Sequence, residues 1–315
     1  MKESMKFDGN PVVTSLPDYV KQNADQLLVR AVLGAKTLDH INIQTGVKTK
    51  EKINLLSTDV HFKEDGSTCG FTPAGSQTIT QREISTGMIV VNMEWCAKNL
   101  LAKYAQSKLN IMAGRENLPY EEQFINDILR DTDEKLDRLI WFGDTESLDA
   151  NLKQTDGYIK ILKEDSSVID RAIAHGTALF DAVRTVLLAI PQRAKHGDAV
   201  IFCCPSDLEA YNQELVDKNL VHYEPGEAVK ELLIPGSEVK LVAVPGLEPQ
   251  GEEKHYLVGG SASNFYYGTD LENGNEVYDF WFSRDDRKFK YDNEFNAGVQ
   301  VAFPDEVVLG EIANA

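Results

Sequence analysis

Apolar and polar positions follow three different rhythms along this chain, and each predicts a different kind of element. From Ile53 the period is two. Val60 and Phe62 fall on one face while Asp59, His61 and Lys63 fall on the other, which is a strand signature. Glu64-Asp65-Gly66-Ser67 then supplies a tight turn, because Asp-Gly accepts the positive φ that such turns require. A Thr- and Gln-rich return limb follows from about Thr68 to Ile84, interrupted by Pro73 and Gly75. At about 12 residues per limb and ~3.3 Å each, the hairpin predicts a ribbon about 40 Å long. Its limbs carry few large apolar side chains, and an isolated two-stranded ribbon is marginal in water. The ribbon is therefore expected to lie on another surface, its own body or a neighbouring chain.

The second rhythm is helical. Met93 to Gln106 carries Trp95, Leu100, Leu101 and Tyr104 at helix-like spacing. Pro119 to Phe142 is the strongest helix of the chain, with Phe124, Ile125, Ile128, Leu129, Leu136, Leu139 and Ile140 on one stripe. Pro119 suits its first turn, Glu121 and Glu122 complement the positive end, and Gly143 suits the stop. At 1.5 Å per residue it spans roughly 36 Å.

The third rhythm alternates helix and strand from Asp156-Gly157 to about Gly260 and predicts a compact α/β unit. Its parts are a helix from Thr177 to Ile190 stopped by Pro191, a buried strand from Asp198 to Cys204, and a helix from Ser206 to Val216 capped by Ser206. Strands at Val239 to Val244 and His255 to Val258 complete it. The remainder predicts strands only: Tyr266-Tyr267, then Val277 to Phe282 across an Asn273-Gly274 turn. Phe289, Tyr291 and Phe295 alternate next, with Asn293 interrupting the apolar face, and Val299, Val301 and Phe303 continue. The first 45 or so residues, broken by Asn10-Pro11 and Leu16-Pro17, predict an extended arm with one short helix near Asp18 to Ala35.

Composition narrows the function classes. The 315 residues are 42% hydrophobic and 26% charged, ordinary globular values that exclude disordered, collagen-like and coiled-coil classes. The net charge of −18 repels phosphate and argues against sequence-specific nucleic-acid binding. No apolar run approaches the roughly 20 residues that cross a bilayer, and Met1 to Pro11 holds no signal-peptide hydrophobic region. A soluble, intracellularly made protein is expected.

The search for chemistry predicts no catalytic, cofactor or metal residues. There is no G-x-x-x-x-G-K-[ST], no G-x-G-x-x-G after a strand, no G-x-S-x-G and no H-E-x-x-H. Gly259-Gly260-Ser261-Ala262-Ser263 is expected to be a plain turn. Cys69 and Cys96 stand alone and Cys203-Cys204 are adjacent, so a C-x-x-C site is absent and buried reduced thiols are expected. The histidines never fall at a short metal spacing, and each is expected to be surface or satisfied core. Asp131-Thr132-Asp133-Glu134 fans around a helix and is expected to pair with Lys135 and Arg138.

The order of these elements resembles the major capsid protein of tailed bacteriophages, the Hong Kong 97-type shell fold. The residues that carry the resemblance are Leu136 to Asp144 at the end of the long helix and Asp156-Gly157-Tyr158-Ile159 after it. With them go Ala199 to Leu208, a strand running into a helix, and the closing stretches Arg287 to Tyr291 and Gly298 to Pro304. The resemblance implies an α+β fold with an N-terminal arm (1–50), an extended β-hairpin loop (51–86), and a peripheral domain (87–156 and 264–315). Its spine helix would lie at about 119–142, with an α/β axial domain over 157–263.

In that family the arm and loop lie across neighbours, which would make the loop tip Lys63, Glu64, Asp65, Gly66 and Ser67 an intersubunit contact. The implied partners are further copies of the chain in hexamers and pentamers, a portal protein, and a separate scaffold or decoration protein. Packaged DNA would be touched only non-specifically, and no membrane is involved. A long cleavable scaffolding segment before the hairpin is not expected. Some members crosslink a loop lysine to an asparagine of a neighbour, for which Lys63 and Asn293 or Asn296 would be the counterparts, although plain surface charge is the expected role of Lys63. The implied product is an icosahedral shell around double-stranded DNA, a virion capsid assembled in the bacterial host cytoplasm. Two rivals remain: an encapsulin-type compartment with the same fold, and a soluble α/β enzyme, which would need a concave pocket with convergent polar groups.

Overall fold

The structure, a computed structural model, describes residues 11–62, 75–96, 120–195, 197–220, 231–251, 254–270 and 277–313. In chain order, α1 (Pro11–Leu33) leads through a short 3₁₀ turn to β1 (Asn42–Gln44), the hairpin β2 (Lys50–Asp59) and β3 (Ser76–Ser85), then β4 (Gly87–Cys96) and the long α2 (Tyr120–Phe142). The α/β unit follows as α3 (Tyr158–Glu164), β5 (Ile169–Ile173), α4 (Leu179–Ala189), α5 (Gln192–Lys195), β6 (Ala199–Cys203), α6 (Pro205–Asp217), β7 (Glu231–Leu233), β8 (Lys240–Ala243) and β9 (His255–Ser261). β10 (Phe265–Gly268), β11 (Val277–Ser283), β12 (Lys288–Val301) and β13 (Val308–Ile312) complete it.

Three sheets result. In the first, the order β1-β10-β12-β11 is joined by β4 on β12. β12 is long enough to serve several partners: its last residues pair with β10, its first with β11, and β4 runs beside it from Lys288 to Ala297. The second sheet has six strands in the order β5-β13-β9-β6-β8-β7. The third is the ribbon β2–β3 alone.

β6 explains the layering of the six-stranded sheet. Val200 and Phe202 enter one apolar cluster with Trp141, Tyr158 and Phe265, whereas Ile201 and Cys203 enter another with Val183, Val186, Leu208 and Tyr211. Both faces are buried, so the strand is apolar throughout rather than alternating. Gly259 and Gly260 lie inside β9, not in a turn. The reason is close approach: a Cβ on Gly259 would fall 2.9 Å from Val186 of α4.

Several expectations are corrected. Residues 11–33 form one helix instead of an extended arm with a short helix, and Pro17 lies inside it. Proline gives up a backbone donor there, and tertiary packing outweighs the loss. Val20, Leu27 and Ala31 bury against Ile125, Ile128 and Leu129 of α2 and against Tyr278, Phe280, Phe289 and Tyr291 of the first sheet. Met93 to Cys96 belong to β4 and not to a helix, while 97–106 lie outside the described residues. The cap of α6 is Cys204 with Pro205 in the first turn, in place of Ser206.

β13, expected among the closing strands of the peripheral part, instead inserts between β5 and β9 in the six-stranded sheet. Within the subunit Asn293 is fully buried and Asn296 is 9% exposed.

Candidate assembly site

The ribbon has two unlike halves. At its base, Ile53, Leu55 and Ile84 are buried with Val47 and Ala302. Arg82 reaches Asp165 beyond α3 at 2.8 Å, Lys50 pairs with Glu83 at 2.5 Å, and Gln300 donates to the Glu83 carbonyl at 2.8 Å. Farther out these ties end. Leu56 stands directly across from Ile79, and both are exposed, as are Val60 and Phe62 just past the end of the strand. Phe62 is 99% exposed. Asp59 and His61 approach at 3.3 Å. Each strand has ten residues, about 34 Å of ribbon. The expected contact residues Lys63, Glu64, Asp65, Gly66 and Ser67 lie outside the described residues.

Where arm, long helix and α/β unit meet, the polar groups are instead fully enclosed. Asp137 of α2 is 2% exposed. Its Oδ1 accepts the Thr37 backbone N–H at 2.9 Å and its Oδ2 that of Gly246 at 2.6 Å. Trp141, one turn on, donates its indole N–H to Thr37 Oγ1 at 2.7 Å. Burial holds the Asp137 pKa above the ordinary carboxylate value, with these donors acting in the opposite direction. Gly246 is required by contact, since a Cβ there would fall 2.3 Å from the Asp137 carbonyl oxygen.

The acidic run on α2 divides by face. Asp131 pairs with Lys135 at 2.7 Å, as expected. Asp133 turns inward, and burial pushes its pKa up to about 6 against the pull of Arg30 and Lys36. Arg138 donates to the Glu248 carbonyl at 2.9 Å and sits 4.8 Å above the Phe142 ring.

A cleft of about 560 Å³ lies between β4 and α2, lined by Ile89, Val91, Trp95, Phe124 and Ile128. Asn92, Asp127, Asp131, Thr132, Lys135, Asn151 and Gln154 also line it, and the Asp131 carboxylate pairs with Lys135.

One cluster escapes sequence reading. Cys204, Asp207 and His255 come together where β6 ends and β9 begins, with His255 Nδ1 2.9 Å from Asp207 Oδ1 and 3.8 Å from Cys204 Sγ. Burial, then the Asp207 charge, push the Cys204 thiol far up, opposite to the activation a nucleophile needs. The short Cys204-to-Asp207 spacing is visible in the sequence, but the histidine arrives only through the pairing of β6 with β9.

No protein-family model and no curated protein matches the sequence. Solved structures do. A chain of the satellite phage P4 procapsid, determined with its size determination (Sid) protein, matches at 13% identity over 92% of this chain and 90% of that one, TM-score 0.61. Microbacterium phage Oxtober96 matches at 13% identity over 89% and 90%, TM-score 0.56. The holo-SrpI encapsulin complex from Synechococcus elongatus PCC 7942 matches at 11% identity over 86% and 84%, TM-score 0.50. The identities are low and the coverage nearly complete, so what is shared is the fold: this chain has the α+β phage major capsid fold that its order of elements predicts.

Proposed function

We propose that this chain is the shell-forming subunit of a tailed-phage capsid. It assembles with copies of itself, through hexamers and pentamers, into an icosahedral container for double-stranded DNA, and performs no catalysis. The observation that carries this reading is the ribbon. Its inner half is tied to its own subunit, while its outer half bears Leu56, Ile79, Val60 and Phe62 uncovered. Apolar side chains held together on a projecting ribbon are a surface for another chain. A second copy is the simplest source of cover, because a contact repeated by rotation closes into a ring or shell.

The loop tip from Lys63 to Ser67 is assigned to that contact. A portal protein, a separate scaffold or decoration protein, and non-specific contact with packaged DNA complete the set of partners. The place of action is the virion capsid, assembled in the bacterial host cytoplasm. Among the described residues no helix is long and apolar enough to cross a membrane.

Negative-stain electron microscopy with size-exclusion chromatography tests the reading, on the protein expressed alone and then with its neighbouring gene products. Closed polyhedra, or free hexamers and pentamers, are expected. Deleting Asp59 to Thr72 should leave capsomer-like or smaller species that cannot close. A monomer persisting in every combination, or normal shells from the deletion, overturns the reading.

The likeness to an encapsulin at TM-score 0.50 favours one second reading, a shell around an enzyme cargo. Particle contents separate the two: packaged genome and a portal at one vertex, against an enclosed enzyme.

A further inference from the structure

Three side chains at the end of the six-stranded sheet have no role in the assembly reading. Cys204 caps α6, Asp207 stands in its first turn, and His255 opens β9. One ligand atom from each lies within 4.8 Å of the other two. Asp207 is 6% exposed, yet its Oδ2 has no hydrogen-bond partner. A buried acceptor left unpaired costs about 1–3 kcal/mol, so the bond from His255 to the other oxygen does not account for the whole carboxylate.

We propose that Cys204, Asp207 and His255 form a binding site for a zinc-class divalent cation. Thiolate sulfur, imidazole nitrogen and carboxylate oxygen are the donors zinc takes, at about 2.3, 2.0 and 2.0 Å respectively. A tetrahedral ion at those lengths holds sulfur and nitrogen about 3.5 Å apart, and nitrogen and oxygen about 3.3 Å apart. The structure has 3.8 and 2.9 Å for these pairs and holds the sulfur within 4.8 Å of the carboxylate oxygen, where a tetrahedral ion needs about 3.5 Å, so closure draws the sulfur inward by up to about 1.3 Å.

The thiol donor selects against magnesium and calcium, which take hard oxygen ligands. On binding, the Cys204 S–H proton leaves to solvent, and the His255 Nδ1 proton, donated to Asp207 in the free site, passes through solvent to Nε2, so that the Nδ1 lone pair faces the metal. A water fills the fourth position from the His255 side, which is 35% exposed. The bound ion staples the start of α6 to the start of β9. This site does not depend on the shell reading.

The test is a Co²⁺ titration of the full chain carrying Cys69→Ser and Cys96→Ser. The thiols left are then those of Cys204 and Cys203, and the latter is buried against the Val242 carbonyl. One equivalent should develop a thiolate-to-cobalt charge-transfer band that Zn²⁺ abolishes by displacement. Cys204→Ser should eliminate the band. His255→Gln, at a partly exposed position that tolerates change, should weaken Co²⁺ binding by more than the roughly 10–100-fold that loss of an outer partner costs. Circular dichroism of each variant checks that the fold is retained. No band at one equivalent, a band that survives in Cys204→Ser, or unchanged affinity in His255→Gln overturns the proposal.

Discussion

The joint around Asp137 and the outer ribbon are opposite solutions to the same problem, how an element that leaves the body of the subunit is held. At the joint every polar atom of the carboxylate is matched by a donor from another part of the chain, Thr37 from the arm and Gly246 from the α/β unit. On the outer ribbon the backbone ladder is complete but the apolar side chains at Leu56 and Ile79 face each other and remain exposed. One region is finished within the chain. The other, on the proposed reading, is covered by a second molecule, so damage to the two should appear in different assays.

The largest effect on the fold is expected from Asp137→Ala. It strands two buried backbone N–H groups at once and should lower the unfolding free energy by about 3–5 kcal/mol, the range for breaking a buried charged contact, measured by urea denaturation of the unassembled subunit. A loss below about 1 kcal/mol would mean the joint is not the fixed point described above. Gly246→Ala is next. Its new methyl collides with the Asp137 carbonyl oxygen, and overpacking of this kind costs about 1–3 kcal/mol; a lowered melting temperature with unchanged ribbon chemistry is the expected readout.

Asp133 gives a smaller, pH-dependent effect. Its folded pKa is about 6 against the ordinary 3.8, so the folded state holds the proton more tightly. The contribution of this group to stability is therefore fully present below pH 3.8, is lost as pH rises from there through about 6, and is essentially gone at pH 7. Asp133→Asn should flatten that slope and stabilise the subunit at neutral pH, read from melting curves between pH 4 and 8. Least of all, Leu56→Asp with Ile79→Lys should move the subunit's stability by no more than about 0.5 kcal/mol, as exposed substitutions do, while shells cease to close under electron microscopy. Closed particles from that double variant would erase the distinction between the two regions.

What could be read from the sequence follows the same divide. The hairpin, the long helix and the apolar β6 are local patterns, and period two, period 3.6 and an unbroken apolar run each announced themselves. The fold of α1 did not, because the burial of Val20, Leu27 and Ala31 that overrides Pro17 comes from α2 and the first sheet. Met93 and Trp95 fit either period when read alone. The structure decides for a strand, placing Trp95 5.0 Å from Phe124 and 6.1 Å from Phe280. The exposed apolar pair Leu56–Ile79 required knowledge of the strand register, and the cluster at Cys204 required knowledge of which strand lies beside β6.

The position of β13 bears on how such a subunit is born. Residues 308–312 pair on one side with 169–173 and on the other with 255–259. While a ribosome is still translating residue 300, β5 therefore has no neighbour in the six-stranded sheet, and the α/β unit has a gap between β5 and β9. Pairings this distant in sequence also close slowly. Subunit completion is thus coupled to translation past residue 312: a nascent or truncated chain can carry a ribbon, yet it lacks the strand that seals its own body.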